Sequence, residues 1–201
     1  MKIICIGRNY VDHISELNNE KPEEPVVFLK PDTALLKEGD FYIPDFSDDV
    51  HHEIEVVVKI LKVGKHIEPE FAHKYYNEIS VGIDFTARDL QSKLKAKGLP
   101  WEKAKAFDSS AVVGNFISVE GLDMDNLNLE LLKNGASQQS GNTNQMIWKI
   151  NELVAYVSQF FTLKTGDLIF TGTPSGVSKV EVNDVLEGFL LGKQLFKVSV
   201  K

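Results

Sequence analysis

The sequence predicts an α+β fold in which β-structure dominates. Three observations carry that expectation. Short apolar runs outnumber helical patterns, Gly, Pro and Asn-Gly punctuation separates them, and strands and helices do not alternate regularly enough for a doubly wound parallel sheet. The 201 residues show no break in composition, no internal repeat and no low-complexity tract. One domain spanning 1–201 is expected, large enough to bury a core.

The elements follow in order. "KIICIG" (2–7) reads as a strand. Cys5 within it is the chain's single cysteine, so it reads as a buried structural thiol, with no internal disulfide and a reducing, cytoplasmic setting expected. "YVDHISELN" (10–18) places Tyr10, His13, Glu16 and Leu17 at helical spacing, and "NNEKPEEP" (18–25) is a polar loop or a lid over a site. "VVFLKP" (26–31) and "FYIP" (41–44) are short strands, and 53–62 a longer one. "EFAHKYYNEI" (70–79) is predicted helical and "SVGIDF" (80–85) a strand. "ARDLQSKLKAKG" (87–98) is a helix with Thr86 as its candidate cap and Gly98 as its stop. "SAVVGNFIS" (110–118) is a strand, and "LNLELLKNGASQQ" (127–139) a hairpin about Asn134-Gly135. "QMIWKINELVAYVSQFF" (145–161) is the longest amphipathic helix. "GDLIFTGTPSG" (166–176) is a strand ending in a turn, and the C-terminal stretch a hairpin about Gly192-Lys193.

Composition excludes some classes of function. A net charge of −7 without a basic stripe argues against a nucleic-acid surface. No run approaches the roughly 20 apolar residues of a membrane span, and "MKIICIG" is too short for a signal sequence before Arg8.

The strongest local feature is "DVHHEIEVVVKI" (49–60). Side chains alternate along a strand, so Glu53 and Glu55 share a face inside an apolar run. Two neighbouring buried carboxylates repel each other and resist leaving water. A hard divalent cation would relieve both, with Mg²⁺, Mn²⁺ or Ca²⁺ preferred by oxygen ligands. Two solvated glutamates on an edge strand are the competing explanation. A zinc site using His51 and His52 is weaker, because adjacent histidines point to opposite faces; His51 alone shares the glutamates' face and is a candidate neighbour for them.

"GIDFTARDLQ" (82–91) offers Asp84 as a third acid, whereas Asp89 reads as an ordinary first-turn helix acid. Arg88 and Gln91, one turn apart, face either an anionic substrate or solvent. His13 and Glu16, three apart, form either a general base with its orienting carboxylate or a surface pair. Lys105, flanked by Ala104 and Ala106, is either a desolvated cation or half of a solvated pair with Lys103. "TGTPSG" (171–176) lacks a Walker lysine and reads instead as a tight turn offering N–H groups and Thr hydroxyls to a carboxylate.

Taken in order, "CIGRNYVDHISE", "FLKP", "HHEIE", "GIDFTARDLQ", "GLPWEKAKAFD" and "GDLIFTGTPSGV" resemble the successive motifs of the fumarylacetoacetate hydrolase family, over nearly the whole chain. Length and wording resemble its short, single-domain acylpyruvate hydrolase and oxaloacetate decarboxylase subgroup. The resemblance implies a mixed β-sandwich or roll of the family's C-terminal domain type, with a few short helices, and a homodimer. It implies Mg²⁺ or Mn²⁺ (Ca²⁺ as a substitute) held by Glu53, Glu55 and Asp84. His13 and Glu16 match a catalytic dyad on a segment that orders over the ligand, and Lys105 matches the active-site lysine. Arg8, Lys30, Arg88, Gln91 and Thr173 match positions lining the pocket.

The implied function is metal-dependent C–C cleavage in small 2,4-dioxo acids, oxaloacetate decarboxylation, or both, giving pyruvate. The alternative is isomerisation or tautomerisation of a 2-hydroxy-dienoate or oxaloacetate at the same metal site. A non-catalytic, metal-stabilised binding protein is disfavoured because both the dyad and the lysine are present.

Overall fold

The computed structural model describes residues 1–11, 16 and 22–201. Its largest sheet contains β1 (Ile3–Gly7), β2 (Val26–Lys30), β4 (Ile54–Ile60), β5 (Tyr76–Asp84), β7 (Ala111–Val113), β8 (Ile117–Ser118) and β11 (Leu168–Phe170). The strand order is β2-β1-β11-β4-β5-β7, with β8 also paired to β5. Only β1 and β11 run parallel, with Ile3 opposite Leu168; the other pairs in this sheet are antiparallel.

A second antiparallel sheet is ordered β10-β9-β13-β14, from β9 (Asn128–Lys133), β10 (Ala136–Asn142), β13 (Val185–Leu190) and β14 (Lys193–Ser199). A small third sheet places β3 (Val50–His52) between β6 (Thr86–Ala87) and β12 (Ser178–Lys179). Helices wholly within the described residues include α1 (Arg88–Ala96), α2 (Glu102–Lys105) and α3 (Ile150–Phe160). The architecture is the β-dominated α+β fold expected, and among the described residues no helix is long and apolar enough to cross a membrane.

The period-2 pattern of β4 explains its place at the centre. Ile54, Val56, Val58 and Ile60 join one core with Ile79, Val81 and Ile83 of β5, Leu129 and Leu131 of β9, and Leu153, Val154 and Val157 of α3. Val57, on the opposite face, packs with Ile3, Cys5, Leu168 and Phe170. Both faces of β4 are therefore dry, which is why the strand reads as nearly continuous hydrophobics. Glu55 shares the Val57 face, and β4 lies between β11 and β5. The reading of an edge strand with solvated glutamates is thereby excluded.

Several boundaries differ from expectation. The stretch 53–62 begins its ladder at Ile54, because Glu53 is a break between β3 and β4. The predicted helix over 70–79 is a 3-10 helix, Pro69–Tyr75, after which β5 starts at Tyr76. β-Branching and the pull of pairing with β4 win over local helical spacing there. "FYIP" is no strand: Phe41 makes a single bridge to Val200 and stacks on Phe85 at 3.7 Å. The stretch 110–118 divides into β7 and β8. Thr86 does not cap α1; it lies in β6, and Ala87 stands at the cap without a side-chain bond. The longest helix starts at Ile150, with the Glu152 carboxylate accepting from Lys149 N–H at 2.6 Å. The last hairpin turns at Leu191-Gly192, one residue earlier than predicted, with φ of 51° and 75°.

Candidate metal centre and its pocket

Strand register builds the acidic cluster. Ile54 pairs with Ile83 and Glu55 with Gly82, and the Glu53 carbonyl accepts the Asp84 N–H at 2.9 Å. Asp84 therefore ends β5 directly across from Glu53. Gly82 matters to this closeness: a Cβ there would lie 2.4 Å from the Val112 carbonyl oxygen and 2.9 Å from Val57 Cγ2. Glu53, Glu55 and Asp84 are all buried, and each offers an oxygen within 4.8 Å of the others.

Three cations hold this cluster. Lys105 Nζ donates to Glu53 Oε2 and to Asp84 Oδ2, both at 2.7 Å. Lys30 Nζ stands 2.8 Å from Asp84 Oδ1 and donates to Ser110 Oγ at 2.9 Å. Arg88 Nη2 donates to Glu53 Oε1, and Arg88 Nη1 to Gln91 Oε1 at 2.8 Å. Burial pushes the Glu55 carboxyl well above the usual range, with Asp84 and Glu53 adding repulsion and the Gly172 N–H partly opposing them at 2.7 Å. Burial pulls the Lys105 ammonium down, but Asp84 and Glu53 outweigh it and hold that group above its ordinary value.

The residues fit a hard divalent cation. All three donors are carboxylates, the set preferred by Mg²⁺ or Mn²⁺ over zinc. Asp84 Oδ1, fully enclosed, accepts no aligned hydrogen bond among the described residues despite its ion pair with Lys30. Ligand oxygens around a single Mg²⁺ lie roughly 3–4 Å apart, so the carboxylates need close by only about 1 Å. Three carboxylates against Lys30, Lys105 and Arg88 balance formally; a bound divalent ion would leave about two positive charges for an anionic substrate.

The pocket above the cluster is lined by Arg8, Phe28, Arg88, Gln91, Trp101 and Thr173, with Ile6, Gly7, Lys95 and Lys105 completing it. Arg8 reaches it from a left-handed backbone, φ 59°, as the chain leaves β1. Asn9 pins that exit: its Nδ2 donates to the Thr171 carbonyl at 2.8 Å, and its Oδ1 accepts from Trp148 N–H at 2.8 Å. The turn after β11 uses its N–H groups on the protein's own carboxylates: Gly172 N–H donates to Glu55, and Gly176 N–H to Glu16 Oε1 at 3.0 Å.

Most residues singled out from sequence converge here. Lys30 is enclosed behind Asp84 and does not line the pocket. His13 lies outside the described residues, as does the first half of the loop at 18–25, residues 18–21. His51 pairs through Nε2 with Asp49 at 2.9 Å, with the Arg88 and Glu53 charges acting on its ring. His52 bonds Gln139 and Ser178, and burial lowers its imidazole to about 4. Lys95 was not singled out, although Arg88, Gln91 and Lys95 follow the i, i+3, i+7 stripe of one helix face. Burial, then Arg8 and Arg88, lowers the Lys95 ammonium.

The family model for the fumarylacetoacetate (FAA) hydrolase C-terminal domain matches residues 2–195. The chain belongs to the fumarylacetoacetate hydrolase family. An oxaloacetate tautomerase of Escherichia coli is 44% identical over 188 residues, covering 92% of this chain and 86% of that protein. A mitochondrial oxaloacetate decarboxylase of Dictyostelium discoideum is 42% identical over 194 residues, covering 95% and 89%. The crystal structure of fumarylpyruvate hydrolase from Pseudomonas aeruginosa, in complex with Mn²⁺ and pyruvate, superposes with a TM-score of 0.93 at 36% identity, covering 100% of this chain and 89% of that one. Within the family these relatives are enzymes of small acids, and the acidic cluster together with the Mn²⁺-bound neighbour indicates divalent metal binding.

Proposed function

We propose that this chain is a divalent-metal-dependent oxaloacetate tautomerase working with Mg²⁺ or Mn²⁺. The observation that carries the reading is the convergence of Glu53, Glu55 and Asp84 on one buried point beneath a pocket rimmed by Arg8, Arg88 and Lys95. The near relative of E. coli carries the same activity in its name and supports the choice.

Glu53, Glu55 and Asp84 would hold the ion, which supplies Lewis-acid polarisation of a 2-oxo group. Arg8, Arg88 and Lys95 bind the dicarboxylate's charge, and Gln91 and Thr173 orient it beside the cluster. Tautomerisation moves one proton from C3 to the C2 oxygen while the C–H electrons become the new C=C bond; nothing else is gained or lost. Lys105 keeps a positive charge at the cluster and stabilises the developing oxyanion. His13, oriented by Glu16, is the proposed base on the ground of its motif.

A second reading, cleavage of an acylpyruvate or decarboxylation of oxaloacetate, is favoured by the likeness to the pyruvate-bound fumarylpyruvate hydrolase. There His13 would activate water, or CO₂ would leave C3 without it. Enol oxaloacetate diluted into buffer separates the two. Mn²⁺-dependent loss of enol absorbance without pyruvate is expected. Pyruvate release at the same rate would favour the second reading, and neither signal would refute both.

A further inference from the structure

We propose that Gln139 is a positioning residue that fixes the Thr173 hydroxyl as a donor toward the bound anion; the inference rests on the pocket holding a metal-chelating dianion. Gln139 lies on β10, 1% exposed, where the register with β9 slips between Ser137 and Gln139. Its amide has no freedom of orientation. The Ile54 N–H, which can only donate, lies 3.0 Å from Oε1, and the Pro174 carbonyl, which can only accept, lies 3.0 Å from Nε2. The other Nε2 proton therefore goes to Thr173 Oγ1, at 2.9 Å.

A hydroxyl that accepts from Gln139 still has its own proton to place. In this structure it donates to the Pro174 carbonyl over a long 3.4 Å, an oxygen that also accepts from Gln139 Nε2 at 3.0 Å. That bond is the weaker of the two on Pro174, and an anion in the pocket, which Thr173 lines, is the stronger acceptor for the proton. The same logic runs backward to His52. Its Nδ1 is 2.9 Å from Gln139 Oε1, an atom that can only accept, so Nδ1 carries a proton in either charge state. Nε2 faces Ser178 Oγ at 2.8 Å. One polarity thus runs from β3 through β10 to the turn after β11.

Close packing holds the arrangement. A Cβ at Gly141 would lie 2.7 Å from Pro174 Cβ, and one at Gly176 (φ +96°) 2.5 Å from the Gln138 carbonyl oxygen. Strand and turn meet there with no room for any side chain.

The test uses oxalate, a non-reacting dianion with adjacent oxygens, titrated calorimetrically into the Mn²⁺-loaded protein, with Mn²⁺ titrated separately. Gln139→Met removes the competing proton from the Pro174 carbonyl, so the Thr173 hydroxyl is held there more firmly instead of turning to the anion. It should weaken oxalate about 10-fold or more, the range for a hydrogen bond to a charged group, while Mn²⁺ affinity is unchanged. Thr173→Val should weaken it similarly, and the double variant no further. Losses that multiply, or full oxalate affinity in Gln139→Met, would overturn the proposal. Gln139→Glu keeps the acceptor for His52 and Ile54, so it serves if the methionine variant does not fold; unchanged affinity there would also overturn it. In ¹⁵N-histidine spectra of the wild type, His52 should carry its proton on Nδ1, and a ring protonated only on Nε2 would contradict the scheme. Wild-type protein that binds Mn²⁺ but no oxalate would refute the functional reading and this proposal with it.

Discussion

Replacing Lys105 by methionine removes a buried ammonium that donates to Glu53 and Asp84, each at 2.7 Å. At an effective dielectric of about 20, each attraction amounts to roughly 6 kcal/mol before the cost of drying the lysine. The net loss on breaking one buried partner is smaller, about 3–5 kcal/mol. In a chain of this size each kcal/mol shifts the midpoint by about 2–4 °C, so Tm in EDTA should fall by about 6–20 °C. The cluster is then left with three carboxylates against Lys30 and Arg88. A divalent cation should therefore bind the variant at least as tightly as the wild type. Differential scanning fluorimetry with EDTA and with millimolar Mn²⁺ reads both terms. The Mn²⁺-induced rise in Tm should be larger for Lys105→Met than for wild type, although turnover falls by roughly 10²-fold or more with the oxyanion's stabiliser gone. An equal loss of Tm in EDTA and in Mn²⁺ would refute the idea that lysine and metal serve the same carboxylates.

Two further outcomes follow from packing and linkage. Gly82→Ala forces a Cβ to within 2.4 Å of the Val112 carbonyl oxygen, so urea unfolding should show a loss of about 1–3 kcal/mol, with Mn²⁺ affinity lowered through displacement of Asp84. Full stability and affinity would mean that β5 and β7 can part freely. His52 has a folded-state value lowered by burial to about 4, against 6.5 when unfolded. Below 6.5 the unfolded chain takes the proton first, so this contribution is lost as pH falls from about 6.5 toward 4. Between pH 7 and 5 it amounts to about 2 kcal/mol. Urea midpoints measured in EDTA should decline over that window in wild type and decline less in His52→Gln; equal slopes would place the titration elsewhere.

The acidic cluster was legible because period-2 alternation fixes Glu53 and Glu55 on one face whatever the sheet order. Their burial was not legible: only the placement of β4 between β11 and β5 removes the edge-strand alternative. Asp84 required a register, Ile54 against Ile83, that no local pattern states. The role of Lys30 depends on its ion pair with Asp84 and that of Gln139 on its bond to His52, 87 residues away, and nothing in their neighbouring residues signals either. Lys95 could have been found, since it continues the helical stripe of Arg88 and Gln91. The helix predicted over 70–79 failed because its second half is the start of a central strand, where pairing with β4 decides.

The most direct measurement is an anomalous diffraction map from crystals grown with Mn²⁺. A single peak is expected within about 2.5 Å of one carboxylate oxygen from each of Glu53, Glu55 and Asp84, and none in crystals of Glu55→Gln. A wild-type map with no peak among these three side chains, in protein that still turns over oxaloacetate, would contradict the account.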